Sequence, residues 1–286
     1  MSTILSSAKR GRFERFKPSF STMHGRLYSQ DCLKLLETVR SEVIDTVFAD
    51  PPFNIGKDYK NGFSDELSSE DYFNWCEQWI RECVRTLKPG GSFFLYALPE
   101  LAIRFAPMLG EDLKFRHWIA VCMKGTFPRG RKLYPAHYAL LYYTKGTPRV
   151  FNRLRTPVSV CRHCGKELKD YGGHRDKLNP LGINLSDFWD DTSPNRHKKF
   201  KVRPGVNELK RIIPERAILM STDPGDLVFD PFGGGGSTYH AAEVHCRQWM
   251  GTELYDAEHI RRRFDEHFPM SVGLQPQFLE KDIFLK

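Results

Sequence analysis

Short apolar runs separated by turn residues recur along most of the chain and predict the strands of a sheet. Residues 43–49 form one such run, rich in β-branched side chains, and it stops at Pro51 and Pro52. Proline fixes its own φ and has no N–H to donate, so the strand is expected to end in a stiff loop. The same pattern predicts further strands at residues 25–28, 92–96, 117–122, 138–143, 226–230 and 248–253.

Helical periodicity appears between several of these runs. After Ser68 and Ser69, either of which can cap a helix, apolar side chains recur every three or four positions up to the breaker sequence 88–91. They are Tyr72, Cys76, Trp79, Ile80, Cys83, Val84 and Leu87. Shorter helices are predicted to begin near residues 32, 214 and 239. This order of elements is typical of an α/β fold with a parallel sheet and crossover helices. Strands 117–122 and 138–143 have no helix between them and predict an antiparallel pair at a sheet edge.

The pattern divides the chain into four regions. Residues 1–22 are polar and basic and are predicted to form a loosely held arm, whereas residues 23–146 and 208–286 carry the α/β pattern. In residues 147–207 the apolar periodicity fades, and arginine, lysine and turn residues dominate, with aromatic residues interleaved. An interruption of this length inside an α/β domain is usually functional, so this region is interpreted as an inserted recognition segment.

Composition favours a polyanionic partner. Lysine and arginine number 43 against 35 aspartates and glutamates, and the net charge of the 286-residue chain is +8. No apolar run approaches the ~20 residues needed to cross a bilayer, so no membrane association is expected. Seven cysteines at irregular spacing favour reduced thiols in a cytoplasm.

The loop after residues 43–49 combines a carboxylate, Asp50, two prolines and the flat ring of Phe53. Such a loop suits a planar substrate that carries an amino group, because the carboxylate and a carbonyl accept its hydrogens while the ring stacks on its face. The simpler interpretation is a strand-ending turn with a surface acid, since Asp-Pro is a common turn pair.

A second strand runs through Asp230 into Phe232 and the glycines 233–236, and the next strand ends at Glu253. This order of elements predicts a nucleoside site, because it combines a strand, a glycine turn, a helix, a second strand and an acid. A P-loop lysine before Ser237 is missing, and the dinucleotide pattern is interrupted by Ser237-Thr238-Tyr239. Asp230 and Glu253 would repel a pyrophosphate but suit an ammonium group and a neutral ribose, as in S-adenosylmethionine. Asp31 is either a plain helix cap or an acceptor for an amino group of this cofactor.

Cys161 and Cys164 have the spacing of half a zinc knuckle. A closed zinc site needs two more ligands, and His174 and His197 are the candidates within the insertion. Because structural zinc usually shows four well-spaced ligands, no metal is expected.

The two motifs together resemble those of the DNA amino-methyltransferases, the adenine-N6 and cytosine-N4 enzymes. Their signatures are D/S/N-P-P-Y/F/W and F-x-G-x-G, and this chain shows Asp50-Pro51-Pro52-Phe53 and Phe232-Gly233-Gly234-Gly235-Gly236. The order, with the catalytic loop first, the basic insertion second and the cofactor loop last, resembles the β group of the family. Phe53 departs from the commoner tyrosine, and Gly235 and Ser237 stand where the family often has serine and threonine.

The resemblance implies a Rossmann-like S-adenosylmethionine-dependent methyltransferase sheet with an inserted target-recognition region. Residues 23–146 would be its catalytic half, 147–207 the target-recognition region and 208–286 its cofactor-binding half. Catalysis would fall to Asp50, Pro51, Pro52 and Phe53, with the Pro51 carbonyl helping Asp50 to orient the amino group. The implied cofactor-binding residues are Asp31, Asp230, Phe232, Gly234, Gly236, Thr238 and Glu253.

The implied reaction is direct methyl transfer to a base flipped out of double-stranded DNA. Asp at the first motif position favours adenine N6, and cytosine N4 is the alternative. Cytosine-C5 methylation is excluded because its nucleophilic cysteine follows a proline, which none of these cysteines does. An RNA or protein methyltransferase and a non-catalytic DNA-binding protein remain as further alternatives. The expected setting is a bacterial or phage-encoded cytoplasmic protein near the nucleoid, with a homodimer or a separate restriction endonuclease as further partners.

Overall fold

The computed structural model describes residues 16–56, 67–123, 130–131, 133, 135–158, 160, 163–165, 177, 179–192, 209–255, 257–274 and 283–285. Within them, a nine-stranded sheet has the order β1-β2-β11-β10-β3-β4-β6-β5-β9. These strands are β1 (Phe20–Ser21), β2 (Gly25–Tyr28), β3 (Ile44–Ala49), β4 (Leu87–Ala97), β5 (Lys114–Cys122), β6 (His137–Thr144), β9 (Phe188–Trp189), β10 (Leu227–Asp230) and β11 (Gln248–Thr252). A separate antiparallel pair joins β7 (Arg155–Thr156) and β8 (Ile183–Asn184).

Six helices cover the two faces of the large sheet in the described parts of the chain. They are α1 (Cys32–Leu36), α2 (Ser69–Thr86), α3 (Pro99–Gly110), α4 (Ile212–Ser221), α5 (Ser237–Val244) and α6 (Ala257–His267). Successive residues of β4 face opposite layers, as a strand requires. Phe93 and Leu95 pack with α1, α2 and α3, whereas Phe94 and Tyr96 pack with α4 and β9. Burial on both faces explains why residues 47–49 of β3 and 93–97 of β4 form uninterrupted apolar runs.

The centre of the sheet is parallel, as predicted. Strands β2, β11, β10, β3 and β4 run parallel to one another, and β6 is antiparallel to both β4 and β5. The two halves of the sequence meet where β10 pairs with β3. Buried Asp45 reinforces this junction, because it accepts hydrogen bonds from the Leu227 N–H at 2.9 Å and from Lys88 at 2.8 Å.

Three sequence predictions need correction. The arm does not extend to residue 22, because β1 pairs with β2 and Phe20 is buried against Trp249 and Phe264. Residues 88–91 do not form a turn; α2 ends at Thr86, and β4 begins immediately, with Gly91 packed tightly against Asp45. The antiparallel pair β5–β6 does not form the edge, because β9 of the insertion adds a further strand beyond β5.

The insertion is anchored to the sheet by Trp189. Its side chain is 1% exposed, its Nε1 donates to the Ser186 carbonyl at 2.8 Å, and the Arg216 guanidinium lies 5.2 Å from the ring centroid. Arg216 also pairs with Asp191. Full burial of a large apolar side chain stabilises a fold by about 1.5–3 kcal/mol, so this end of the insertion is part of the domain core.

Among the residues described above, no helix is long and apolar enough to span a bilayer. The remaining predicted elements agree with the structure. Ser68 caps α2 through the Asp71 N–H, and every apolar residue of the predicted face up to Val84 is buried.

Candidate active site

Four acids stand at the carboxyl ends of four neighbouring parallel strands. In spatial order they are Asp31 after β2, Glu253 after β11, Asp230 at the end of β10 and Asp50 after β3. The carboxyl edge of a parallel sheet is where ligands bind in open α/β folds. The tertiary structure therefore places the two predicted motifs side by side, although they are about 180 residues apart in the sequence.

The glycine turn is held in shape by backbone hydrogen bonds. The Gly236 N–H donates to the Gly233 carbonyl at 2.7 Å, and the Gly233 N–H donates to the Thr252 carbonyl at 2.8 Å. Gly236 precedes α5 with a φ of 73°, a left-handed conformation that favours glycine. At Gly234 a side chain would meet nothing closer than 3.9 Å, so the space above this residue is open to a ligand.

Glu253 ties the end of β11 to this turn. One carboxylate oxygen accepts the Gly234 N–H at 2.8 Å, and the other accepts the Tyr255 N–H at 3.2 Å. Its own N–H donates to the Tyr28 carbonyl at 3.0 Å, which connects it to β2. The predicted cofactor residues Gly234 and Glu253 therefore form one hydrogen-bonded unit.

Asp230 and Thr238 lie beneath the turn rather than at its surface. They are 2% and 3% exposed, and Asp230 accepts the Phe232 N–H at 2.9 Å. Burial raises the pKa of Asp230 well above its usual value, and the charges of Asp50 and Glu253 act in the same direction, whereas hydrogen bonds from Thr238 and the Phe232 N–H oppose the shift. Neither of these two predicted cofactor residues therefore presents an exposed side chain at the turn.

Phe232 and Asp31 have structural partners as well. The Phe232 ring packs against both Trp75 and Trp79 of α2, with centroid distances of 5.7 and 5.0 Å, so it fixes the start of the glycine turn against the core. Asp31 caps α1 by accepting the Leu33 N–H at 2.8 Å, which confirms the capping interpretation. Because Asp31 follows β2 and Glu253 follows the adjacent strand β11, these two acids are neighbours along the carboxyl edge of the sheet.

Around Asp50 the structure forms an aromatic pocket. Pro51 is buried, and the half-buried Phe53 ring lies 6.2 Å from the Tyr138 ring, which in turn stacks on Tyr96 at 4.9 Å. Burial and the charge of Asp50 raise the pKa of both tyrosines, so their hydroxyls stay protonated at neutral pH. A carboxylate beside three rings suits a flat group that donates hydrogen bonds.

The carbonyls of the two prolines have different surroundings. The hydroxyl of Tyr72 in α2 donates to the Pro52 carbonyl at 2.7 Å, and this ties the loop to the helix. The carbonyl that the resemblance assigns to the amino group of the substrate is that of Pro51, the residue before Pro52. The Tyr72 bond is consistent with that assignment because it engages a different carbonyl.

Comparison with known proteins decides the family. The N6/N4 DNA methylase family matches residues 44–261, a range that contains both motifs. Type II methyltransferase M.BamHI of Bacillus amyloliquefaciens is 48% identical over 251 residues, which cover 87% of this chain and 59% of M.BamHI. The chain belongs to the N6/N4 DNA methylase family. It spans less than two thirds of the length of M.BamHI.

Solved structures agree on the fold of this member of the N6/N4 DNA methylase family. PvuII DNA methyltransferase (cytosine-N4-specific) matches with a TM-score of 0.63 at 17% identity, covering 91% of this chain and 97% of that protein. The M1.HpyAVI–SAM complex matches with a TM-score of 0.54 at 18% identity, covering 84% and 99%. These likenesses confirm the predicted fold class, an α/β methyltransferase sheet.

Sequence reasoning missed several residues that shape this site. Tyr96 and Tyr138 were interpreted only as strand residues, and α6 was not predicted at all. From α6, Ile260 packs beneath Gly233 and Gly236, and Arg263 donates to the Gly235 carbonyl at 2.5 Å. The four-residue spacing of the buried Ile260 and Phe264 was the available signal for this helix.

The half zinc knuckle gains no partner in the described parts of the chain. Cys164 is an exposed free thiol, and no group of three or more potential metal ligands occurs among the described residues. Cys161, His174 and His197 lie outside those residues.

Because the Asp230 carboxylate is buried, we expect the effect of Asp230→Asn on stability to depend on pH. The pKa of Asp230 is raised in the folded protein, so between the two pKa values the folded protein keeps a proton that the unfolded chain has lost. The stability of the wild type therefore falls as pH rises from about 3.8, the pKa in the unfolded chain, towards the pKa in the folded protein. Asparagine can accept the Phe232 N–H and cannot ionise. We expect this variant to melt a few degrees higher than the wild type at pH 8, with a smaller difference near pH 4.

Thermal unfolding of the cofactor-free protein across this pH range tests the expectation. Asp112→Asn serves as the control, because Asp112 is exposed. A constant loss of melting temperature at every pH in Asp230→Asn would contradict the role given to ionisation.

Proposed function

We propose that this chain transfers a methyl group from S-adenosylmethionine to the exocyclic amino nitrogen of a base in double-stranded DNA. The observation that carries the proposal is the pairing of β3 with β10, which sets Asp50 and its aromatic pocket beside the glycine turn. Methyl transfer needs its donor and acceptor sites adjacent, and most of its acceleration comes from positioning and electrostatics. M.BamHI, a Type II methyltransferase, supports the activity.

The residues at the glycine turn fit S-adenosylmethionine. The negative charge of Glu253 suits a cationic cofactor, and a carboxylate at a strand end accepts ribose hydroxyls. Open space above Gly234 admits the ligand to the backbone. We propose that Asp31 accepts a hydrogen bond from the amino group of the cofactor's adenine, as the resemblance implies. M1.HpyAVI was solved as a SAM complex with the same fold, which further supports this cofactor.

The chain's own residues account for activation of the amino group. Phe53 and Tyr138 replace part of the stacking that a flipped base loses, a cost of a few kcal/mol. Asp50 and the Pro51 carbonyl accept the two amino hydrogens and turn the nitrogen lone pair away from them. When bound, S-adenosylmethionine supplies an electrophilic methyl group on sulfur. Asp50 then stabilises the positive charge that develops on nitrogen and accepts its proton for release to solvent.

Adenine N6 is the base that we propose first, because the resemblance associates Asp50 at the first motif position with adenine. Cytosine N4 is the second candidate, since it presents the same amino group to Asp50. The solved structures include a cytosine-N4-specific enzyme, and the curated relatives include a DNA adenine methyltransferase of Escherichia coli.

Nucleoside mass spectrometry after incubation of unmethylated bacterial DNA with the protein and S-adenosylmethionine tests the proposal. N6-methyladenine would support it in full, and N4-methylcytosine would retain the reaction but change the base. Methylation of RNA or protein in place of DNA would contradict the substrate class. Cofactor binding without any transfer would favour a non-catalytic DNA-binding protein. The intact Asp50 loop argues against that alternative.

DNA affinity is expected to fall steeply with salt, because the +8 net charge and the basic insertion favour phosphate contacts. A protein neutralising about six phosphates loses roughly a thousandfold in affinity between 50 and 200 mM salt. Fluorescence anisotropy with a duplex at several salt concentrations measures the slope. A DNA affinity that does not change with salt would contradict the placement of the insertion at the DNA interface.

We further propose a cytoplasmic setting beside the nucleoid and a functional pairing with a separate restriction endonuclease. The Type II relatives support this setting. Self-association into a homodimer is part of the same proposal, and analytical ultracentrifugation of the full chain tests it.

A further inference from the structure

The loop that carries Phe53 is tied to the start of α2 on both sides of the ring. Before Phe53, the Pro52 carbonyl accepts the Tyr72 hydroxyl at 2.7 Å. After it, the Asn54 side chain makes two bonds to the backbone of Leu67, the residue that precedes the α2 cap Ser68. Its Nδ2 donates to the Leu67 carbonyl and its Oδ1 accepts the Leu67 N–H, both at 2.9 Å.

Asn54 is suited to this place by its backbone as well as its amide. Its φ is 51°, a left-handed conformation that asparagine tolerates far better than most residues. An amide is also the side chain that can donate and accept at once, so it matches a backbone N–H and C=O pair. Leucine or alanine here would lose both bonds and keep the strain.

The two ties have a geometric consequence for the base pocket. Phe53 lies between Pro52, which is tied to α2, and Asn54, which is tied to Leu67 just before the α2 cap, while its ring contacts Tyr138 on β6. Side chains that hold a reacting group are effective when their own supports are rigid, and a displacement of about 1 Å can reduce catalysis a hundredfold.

We propose that Asn54 is a positioning residue that holds the Phe53 ring in its base-stacking orientation through the Leu67 clamp, with Tyr72 as the second tie. The inference rests on the proposed function, because it assigns this ring to the target base. Asn54 acts through Phe53 and not on the cofactor. Its loss therefore affects the DNA-dependent step and leaves S-adenosylmethionine binding unchanged.

Asn54→Gly is the informative variant, since glycine accepts the positive φ and removes only the amide. Cys246→Gly is the matched control, because exposed Cys246 has a similar φ of 56° far along the chain from the pocket. With tritiated S-adenosylmethionine and unmethylated bacterial DNA, we expect Asn54→Gly to lose about tenfold to a hundredfold in kcat/KM for DNA. The dissociation constant for S-adenosylmethionine stays as in the wild type, and hydrogen exchange at the Leu67 amide accelerates.

Tyr72→Phe supplies a second variant that keeps the packing and removes the other tie. It is expected to show a smaller loss of the same kind, and combination with Asn54→Gly is expected to give a non-additive loss. Wild-type transfer in Asn54→Gly despite rapid exchange at Leu67 would overturn the positioning role while leaving the proposed function intact. An equal loss of cofactor binding would show a merely structural role and overturn it too. A wild-type protein without transfer to DNA would overturn the proposed function, and this inference with it.

Discussion

Asp50→Ala is expected to reduce methyl transfer to DNA by at least about 10²–10³-fold, the effect of removing one group that stabilises developing charge in a transition state. The amino nitrogen of a base is a poor nucleophile because its lone pair is delocalised over the ring. Without the carboxylate, one amino hydrogen loses its acceptor and the charge on nitrogen loses its counterion. Single-turnover rates with unmethylated DNA measure the loss.

Cofactor binding separates this effect from general damage. The charge of Asp50 helps to raise the pKa of Asp230 beneath the glycine turn. Removal of the Asp50 carboxylate therefore makes Asp230 easier to ionise, and the glycine turn does not become less acidic. We therefore expect calorimetry to give an S-adenosylmethionine dissociation constant close to that of the wild type.

Asp50→Asn keeps one acceptor and removes the charge, so it is expected to fall between alanine and the wild type. Exposed Asp112→Ala controls for loss of an acid elsewhere. If Asp50→Ala loses cofactor binding and transfer to the same degree, the catalytic role given to Asp50 is wrong.

Gly236→Ala is expected to weaken cofactor binding. A Cβ at this position would lie 2.7 Å from the Cγ2 of Ile260, and the residue has a φ of +73°. Ile260 is fully buried and its Cγ2 is fixed directly on the β-branched carbon, so it cannot turn away. The turn itself must move, and the bond from Gly236 to Gly233 moves with it. We expect the dissociation constant for S-adenosylmethionine to rise by more than roughly tenfold, since about 1.4 kcal/mol suffices for that change.

Gly225→Ala is the matched control for this prediction. Gly225 has a φ of +88°, yet a Cβ there would meet nothing within 4 Å. Left-handed backbone costs a non-glycine residue about 1–2 kcal/mol, so the control should lose stability but retain cofactor affinity. Calorimetric titration and thermal unfolding of both variants measure the two quantities. Normal cofactor binding by Gly236→Ala would show that the turn does not contact the cofactor.

Local sequence patterns predicted the parts of the fold that depend on near neighbours. The face of α2 and its Ser68 cap follow from helical spacing, and β3 and β10 follow from apolar runs that end at Asp50 and Asp230. The breaker 88–91 was misread because a proline and two glycines usually mark a turn. In the structure these residues begin β4, where only glycine fits at position 91 against Asp45 and Leu87.

The aromatic pocket shows why the rest could not be predicted locally. Tyr96 lies opposite Leu140 in the β4–β6 pairing, so Tyr138 is its diagonal neighbour on the same face. A shift of the register by one residue would turn one of these rings away. That register is set by contacts between strands some forty residues apart, so it cannot be inferred from the spacing of residues within either strand.

The sequence by itself determined the chemistry of this protein: a carboxylate, prolines and a ring in one loop, and acids around a glycine turn in another. Those features are fixed by residue type and by neighbours a few positions away. Only the tertiary structure decided that the two loops share one edge of the sheet, that Asp230 lies buried beneath its turn, and that Asn54 fastens the Phe53 loop to α2. These arrangements depend on strand pairing and packing between distant segments, whose free energy is gained only when the whole domain has closed around them.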